Sequence, residues 1–288
     1  MAITDQNLTR REWLRASSLG LLTPALSGWM SQLAAQTKKK AKSCILLWMD
    51  GGPSQIHTFN VPQKGADNRE YDTISTTVPG IQISEHLPRV PKCMKDMVLI
   101  RTMSTGLNNH GAGQYIMHTG YRENPAIDYP TLGSIVSHQI GDRELSLPSF
   151  INLGTSGTTK RYHRPGILGA DHGPLNLGGG RIANQRARLD DARVKSRFDL
   201  LREVEKHTLE KYRHDAVKAH LSSYERAWKL MRSDKTAALD YKKEPKSILD
   251  LYGKSNFAKQ CLLARRLIQA GVSLVEVGWG GWDHHGGA

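Results

Sequence analysis

Short apolar runs alternate along the chain with longer amphipathic segments. The apolar runs predict four buried strands, over residues 43–49, 97–101, 147–153 and 272–278. Helical patterning predicts helices over residues 87–97, 114–118, 131–140, 186–231 with a break near 214, and 255–269. Strands that alternate with helices predict an α/β fold, a mostly parallel sheet sandwiched by helices on both faces.

The first predicted strand ends abruptly at Asp50, which Gly51 and Gly52 follow. Ligands of open α/β sheets bind at the carboxyl ends of the strands. Asp50 is therefore either the cap of a glycine turn or a functional carboxylate. The two glycines would let backbone amides approach an anionic oxygen.

A polar loop with Asn109 and His110 follows the second predicted strand. The plain interpretation is an asparagine-rich turn with a surface histidine. The functional interpretation places His110 at the same sheet edge as Asp50, as a metal ligand, a base or a phosphoryl acceptor. The other histidines, His118 and His163 among them, are expected to be surface or satisfied core residues.

Asp283, His284 and His285 follow the last predicted strand. Aspartate and histidine are residue types that hold divalent metals. Neighbouring side chains of an extended segment point in opposite directions, so Asp283 and His285 form the natural chelating pair. His284 could equally serve as the ligand if the chain turns at Gly286.

The chain has 40 basic and 27 acidic residues, a net charge of +13. Such a charge suits phosphate- or sulfate-bearing partners, and Arg101 and Arg164 are candidate anion-binding residues. Much of the charge lies in residues 181–246, where interleaved acids favour a solvated helical surface. Nucleic-acid binding is disfavoured because no recognition motif is present and only 7% of residues are aromatic.

Residues 9–15 read TRREWLR and closely resemble a twin-arginine export signal. The apolar run that follows is too short and too broken for a stable transmembrane segment. We therefore expect an export signal over residues 1–35, a mature domain over 36–288, and a periplasmic or cell-surface location reached through the twin-arginine machinery. The three cysteines show no CxxC spacing, so we expect buried free thiols.

A series of motifs resembles, in order, the bacterial domain-of-unknown-function family numbered 1501, over essentially the whole mature chain. The motifs cover residues 44–55, 109–111, 119–120, 130–134, 166–170, 251–253, 264–267, 270–272 and 281–283. Members are grouped with the alkaline phosphatase and sulfatase superfamily. The resemblance therefore implies an alkaline phosphatase-like α/β domain that carries a helical insert at residues 181–246.

The superfamily hydrolyses phosphate or sulfate esters at one or two divalent metals, so the resemblance implies zinc, calcium or manganese as cofactor. Its metal ligands fall on Asp50 and Asp283 with His284 or His285, and its nucleophile falls on His110. Asn109 is the second candidate catalytic residue. Gly51, Gly52, Arg101 and Arg164 would contact the anionic ester. The implied substrate is a phosphorylated or sulfated small molecule or glycan.

This sequence departs from the family pattern in three ways. His110 stands where sulfatases carry cysteine or serine and phosphatases carry serine or threonine. His57 and Asn60 stand where two carboxylates are usual. Family members also continue past residue 288. We therefore expect this chain to be the N-terminal part of such a protein, with an incomplete sheet and poor solubility. The alternative function is therefore a non-catalytic exported binding or scaffold protein on the same fold.

Overall fold

The computed structural model describes residues 42–62, 72–154, 162–178, 190–212 and 215–283. The expected export signal lies outside these ranges. No described helix is both long enough and apolar enough to cross a membrane.

Four strands of the described chain form one sheet in the order β1-β6-β4-β5, and each neighbouring pair is parallel. The other two, β2 and β3, form an antiparallel pair. The prediction of an α/β protein with a mainly parallel sheet is therefore confirmed. The strands are β1 (Cys44–Met49), β2 (Thr73–Ser75), β3 (Gln82–Ser84), β4 (Phe150–Leu153), β5 (Leu175–Leu177) and β6 (Leu274–Trp279).

Five of the six described α-helices overlap helices that the sequence predicts, and the fifth in chain order has no predicted counterpart. They are α1 (His110–Thr119), α2 (Leu132–Ile140), α3 (Asp191–Tyr212), α4 (Asp215–Met231), α5 (Lys246–Tyr252) and α6 (Asn256–Gln269). Helices α3 and α4 occupy the predicted helical insert. The segment predicted as a helix over 87–97 is instead a 3-10 helix, Val90–Asp96.

Alternate side chains of the central strand β6 point to opposite faces of the sheet. Val275 and Val277 lie in an apolar core with Leu263 and Leu267 of α6. Each such fully buried aliphatic side chain stabilises the fold by about 1.5–3 kcal/mol. Helix α2 packs on the opposite face, where a Cβ on Gly133 would meet the ring of Phe150. Helices therefore cover both faces of the sheet, as the sequence predicts.

The strand predicted over residues 97–101 is wrong. These residues adopt no regular structure, and Val98 and Ile100 are 88% and 67% exposed. An apolar run becomes a strand only where another strand hydrogen-bonds to it, and no described strand pairs with this one.

Strand β1 and two cysteines are less buried than the sequence predicts. Within the described residues β1 is an edge strand, paired only with β6, so Ile45 and Leu47 are 40% and 53% exposed. Cys44 and Cys93 are free but exposed rather than buried.

The contact between Gly133 and Phe150 gives a stability prediction. In Gly133→Ala the new methyl group overlaps the buried phenyl ring, and we expect a loss of about 1–3 kcal/mol. The matched control is Gly113→Ala in α1, where the methyl group meets open space and removes the entropic cost of a helical glycine. Chemical denaturation should show the first variant destabilised and the second neutral or stabilised. Equal stability of the two would contradict this packing.

Candidate functional site

The carboxyl ends of β1 and β6 lie side by side because the two strands are parallel. Backbone pairing continues past the strands: the Asp50 amide donates to the Trp279 carbonyl at 2.9 Å, and the Trp282 amide donates to the Asp50 carbonyl at 3.2 Å. Asp50 is buried at this edge. The pairing brings Asp283, the residue after Trp282, to the turn that follows Asp50.

Gly51 makes this close approach possible. Its φ of +114° lies in the region that favours glycine. A Cβ at this position would overlap the backbone of Trp282 and Asp283. Gly52 also has a positive φ, +71°, but a Cβ there would meet open space. The glycine turn predicted from the sequence therefore lets two chain segments meet.

Helix α1 begins at this same edge. The side chain of Asn109 caps it, since Oδ1 accepts a hydrogen bond from the Ala112 amide at 2.8 Å. His110 is the first helical residue, and its Nε2 lies 3.1 Å from Oδ2 of Asp283. Both side chains are about half exposed. The structure thus brings two predicted site residues, 173 positions apart in the sequence, into direct contact beside Asp50.

One turn further along α1, the side chain of Gln114 contacts Asp50. Its side-chain Nε2 donates a hydrogen bond to Oδ1 of Asp50. Its Oε1 is buried and has no hydrogen-bond partner in the described part of the chain. Residues four apart share a helix face, so His110, Gln114 and His118 form one polar stripe along α1.

The third residue of this stripe, His118, enters a buried polar cluster with Glu276 of β6 and His163. Oε1 of Glu276 lies 3.2 Å from Nε2 of His118 and 2.8 Å from Nε2 of His163. All three side chains are at most 3% exposed. Buried charged groups are tolerated only when they are paired, and these three residues pair with one another.

The outer nitrogen of each imidazole is also held. Nδ1 of His118 lies 2.8 Å from the Gln114 carbonyl oxygen, and Nδ1 of His163 lies 2.7 Å from Nδ2 of Asn152. Asn152 pairs with Glu276 across β4 and β6, so the two side chains lie on the same face. The ring of Trp48 packs against His118 with centroids 4.1 Å apart. These contacts fix both rings with Nε2 towards the carboxylate.

The cluster shifts the pKa values of two of its members. Burial raises the pKa of Glu276, but hydrogen bonds and positive charge from His118 and His163 outweigh it and lower the value to about 2. Burial lowers the pKa of His118, but its hydrogen bond to Glu276 and that residue's charge outweigh it and raise the value. Glu276 then stabilises the fold above pH 4.5 and loses this effect towards pH 2. The contribution of protonated His118 to the stability of the fold is lost as the pH rises through its raised pKa.

The remaining predicted site residues lie elsewhere. The guanidinium group of Arg101 donates a hydrogen bond to the Gln82 carbonyl of β3 at 3.1 Å. Arg164 lines a cavity of about 520 Å³ beside α1, together with Tyr115 and Tyr162. His284 and His285 lie outside the described residues.

Within the described ranges, one group of histidine, cysteine and acidic residues brings three ligand atoms within 4.8 Å of one another: His118, His163 and Glu276. Asp50, His110 and Asp283 do not reach that spacing. The expectation that His118 and His163 are ordinary surface or core residues misses this cluster. Two sequence signals point to it: the histidine–glutamine–histidine spacing over residues 110–118, and a lone glutamate in an apolar parallel strand.

The turn at Gly51 gives a second prediction. Gly51→Ala combines backbone strain with overlap on the Asp283 backbone, whereas Gly52→Ala carries the strain alone. We expect each to lose about 1–3 kcal/mol of stability, with Gly51→Ala the more damaging. Thermal unfolding of both variants measures the difference. If Gly52→Ala is equally or more destabilised, the two segments do not pack as described.

Comparison with protein families finds a match over most of the chain. Residues 41–288 match the model of a family described as a protein of unknown function, DUF1501. No curated protein and no solved structure matches the chain. Because the match takes in every described residue, both of the strands that form the site and helix α1, the chain belongs to the DUF1501 family.

Proposed function

We propose that this protein is an exported, metal-dependent hydrolase of phosphate or sulfate esters on an alkaline phosphatase-like fold. The observation that carries the proposal is the contact between His110 and Asp283 at the start of α1, beside the buried carboxylate of Asp50. Three distant segments of the chain meet at the carboxyl edge of a parallel sheet, which is where such folds bind their ligands.

The start of α1 suits an anionic ester. The first backbone amides of a helix have no partner within the helix, and its dipole favours negative charge there. Asn109 occupies the Ala112 amide, and the amides of His110 and Gly111 precede it in the first turn of the helix. A phosphate or sulfate group placed at this helix end would therefore lie beside the imidazole of His110.

The dyad of His110 and Asp283 supplies the reactive group. Nε2 of His110 lies 3.1 Å from a carboxylate oxygen of Asp283, and a neutral ring that carries its proton on Nε2 has its lone pair on Nδ1. That lone pair can take a proton from a water molecule that attacks the ester, or attack the phosphorus or sulfur itself; in either case the bond to the ester oxygen breaks and the alcohol leaves. Half of the imidazole surface is open to solvent, so a substrate can approach it.

The residues at the edge also fit a divalent cation. Asp50 and Asp283 offer carboxylate oxygens, and Gln114 offers a buried amide oxygen without a partner among the described residues. Asp50 and Asp283, with His284 or His285, would hold zinc, calcium or manganese. When bound, such an ion would polarise the ester and neutralise its developing charge.

One observation favours a second candidate, a non-catalytic exported protein that binds such esters. Asp50, His110 and Asp283 do not bring three ligand atoms within 4.8 Å of one another, although one buried group in the described chain does. In this alternative, phosphorylated or sulfated glycans or small molecules bind at the same edge without turnover. Export itself rests on the twin arginines, Arg10 and Arg11.

Turnover of model esters tests the proposal. The full chain is assayed with p-nitrophenyl phosphate, bis-p-nitrophenyl phosphate and p-nitrophenyl sulfate, each with zinc, manganese or calcium. We expect hydrolysis of at least one ester, and His110→Ala should lower kcat/KM by about 10²- to 10⁴-fold because it removes the base or nucleophile.

The matched control is His138→Ala, an exposed histidine of α2, which should retain full activity. Absence of turnover with every ester and metal, or full activity in His110→Ala, would rule out the hydrolase. Saturable binding of the esters without turnover would support the binding protein instead.

A further inference from the structure

We call the group of Asp50, His110 and Asp283 at the carboxyl ends of β1 and β6 the strand-edge site. The buried cluster lies further along α1 and gathers ligand atoms from three separate parts of the fold. His118 comes from α1, His163 from the segment before the 3-10 helix Gly166–Leu168, and Glu276 from the central strand β6. Each contributes one ligand atom, and the three atoms lie within 4.8 Å of one another. We propose that His118, His163 and Glu276 form a buried site for a divalent transition-metal ion of the zinc class, distinct from the strand-edge site.

The two separations that involve Glu276 match those of a metal centre. Zinc binds histidine nitrogen and carboxylate oxygen at about 2.0–2.2 Å, so bond angles of about 90–110° place neighbouring ligand atoms about 2.8–3.6 Å apart. The two measured separations from Oε1 of Glu276, 2.8 and 3.2 Å, fall in this range. Two imidazoles and one carboxylate are also a ligand set that zinc uses in proteins.

The outer nitrogen of the His118 imidazole is held as it is in metal sites. A ligating histidine almost always donates its other ring N–H to a carbonyl, carboxylate or water. Nδ1 of His118 has such a partner in the Gln114 carbonyl oxygen at 2.8 Å. This bond assigns the proton of a neutral His118 to Nδ1 and leaves the lone pair of Nε2 directed at the cluster.

Asn152 can take the same part for His163 once its amide rotates. Its amide lies 2.7 Å from Nδ1 of His163, and its Oδ1 is buried without a partner among the described residues. Rotation of the amide by half a turn would present Oδ1 to an Nδ1–H of His163, which frees Nε2 of that ring for an ion. An amide that can either donate or accept suits a site that is filled and emptied.

Charge balance requires a positive species at this position. With Nδ1 of His118 bonded to a carbonyl, the Nε2 lone pair would face an anionic carboxylate oxygen at 3.2 Å unless a proton or a cation lies between them. A divalent ion takes the place of that proton and contacts all three groups at once. A single proton, by contrast, lies between only two of the three groups.

The ion would have a consequence for the fold that does not depend on ester hydrolysis. It would link α1 to the central strand, and α1 also carries His110 and Gln114 towards the strand edge. Because the cluster is closed to solvent, we expect slow exchange and a positioning role rather than contact with substrate.

Metal content provides the test. The double variant Asp50→Asn with Asp283→Asn removes the carboxylates of the strand edge and serves as the background. The full chain is stripped, loaded with zinc, dialysed, and measured by elemental analysis. We expect one zinc ion per chain in this background and in the added control His138→Gln, and a loss of more than about tenfold in zinc affinity when Glu276→Gln is added.

If Glu276→Gln does not fold, cobalt absorption spectra and thermal unfolding of the background variant still test the proposal. Co²⁺ loaded into the background variant should give visible absorption of a four- or five-coordinate site with nitrogen ligands. Zinc at about a hundredfold excess over its Kd should raise Tm by about 5 °C. Retention of no ion, no cobalt spectrum and no change in Tm would overturn the proposal. Failure of the hydrolase proposal appears in ester turnover alone and leaves the ion content unchanged.

Discussion

Glu276 lies in the central strand of the sheet with its side chain closed to solvent, and a carboxylate in that position must be matched by charge and hydrogen bonds. The match comes from His118 and His163 at 3.2 and 2.8 Å. Removing one partner of a buried pair costs about 3–5 kcal/mol, because the other is left uncompensated. Helix α1 can therefore occupy only the arrangement that places His118 over β6. On the opposite face of the same strand, Val275 and Val277 lie in the apolar core with Leu263 and Leu267 of α6.

Once His118 is fixed, the periodicity of α1 determines where its other polar side chains lie at the edge of the sheet. Gln114 reaches Asp50 and His110 reaches Asp283 because the three side chains lie one turn apart on the same helix face. The buried contact thus acts through a rigid helix on a half-exposed dyad about 12 Å away along the helix axis. The glycine turn completes the arrangement from the other side, since only glycine at position 51 lets the chain after β6 approach so closely. The site is therefore held by the sheet and the helix together, which favours precise placement of a reacting group.

Much of this arrangement follows from local sequence, and the rest depends on long-range contacts. Strand β6 and helix α6 are predictable because their patterning is unambiguous, and the pairing of parallel strands then carries Asp50 and Asp283 to one edge. The segment at 97–101 shows the limit, because an apolar run does not reveal whether a strand will pair with it. The half-exposed state of β1 escapes prediction for the same reason. The cluster of His118, His163 and Glu276 joins residues up to 158 positions apart, so only the folded chain brings them together. The sequence signal for the cluster is Glu276, a charged residue in a buried strand. Such a residue must have a partner, but the sequence does not say which residue that is.

The carboxylate of Glu276 holds α1 against the sheet. Hydrogen–deuterium exchange of the full chain and of Glu276→Ala tests this role most directly, with α6, which packs on the other face, as the internal reference. We expect the amides of residues 110–119 to lose most of their protection in the variant while those of α6 keep theirs. Equal protection of α1 in the two proteins would contradict it.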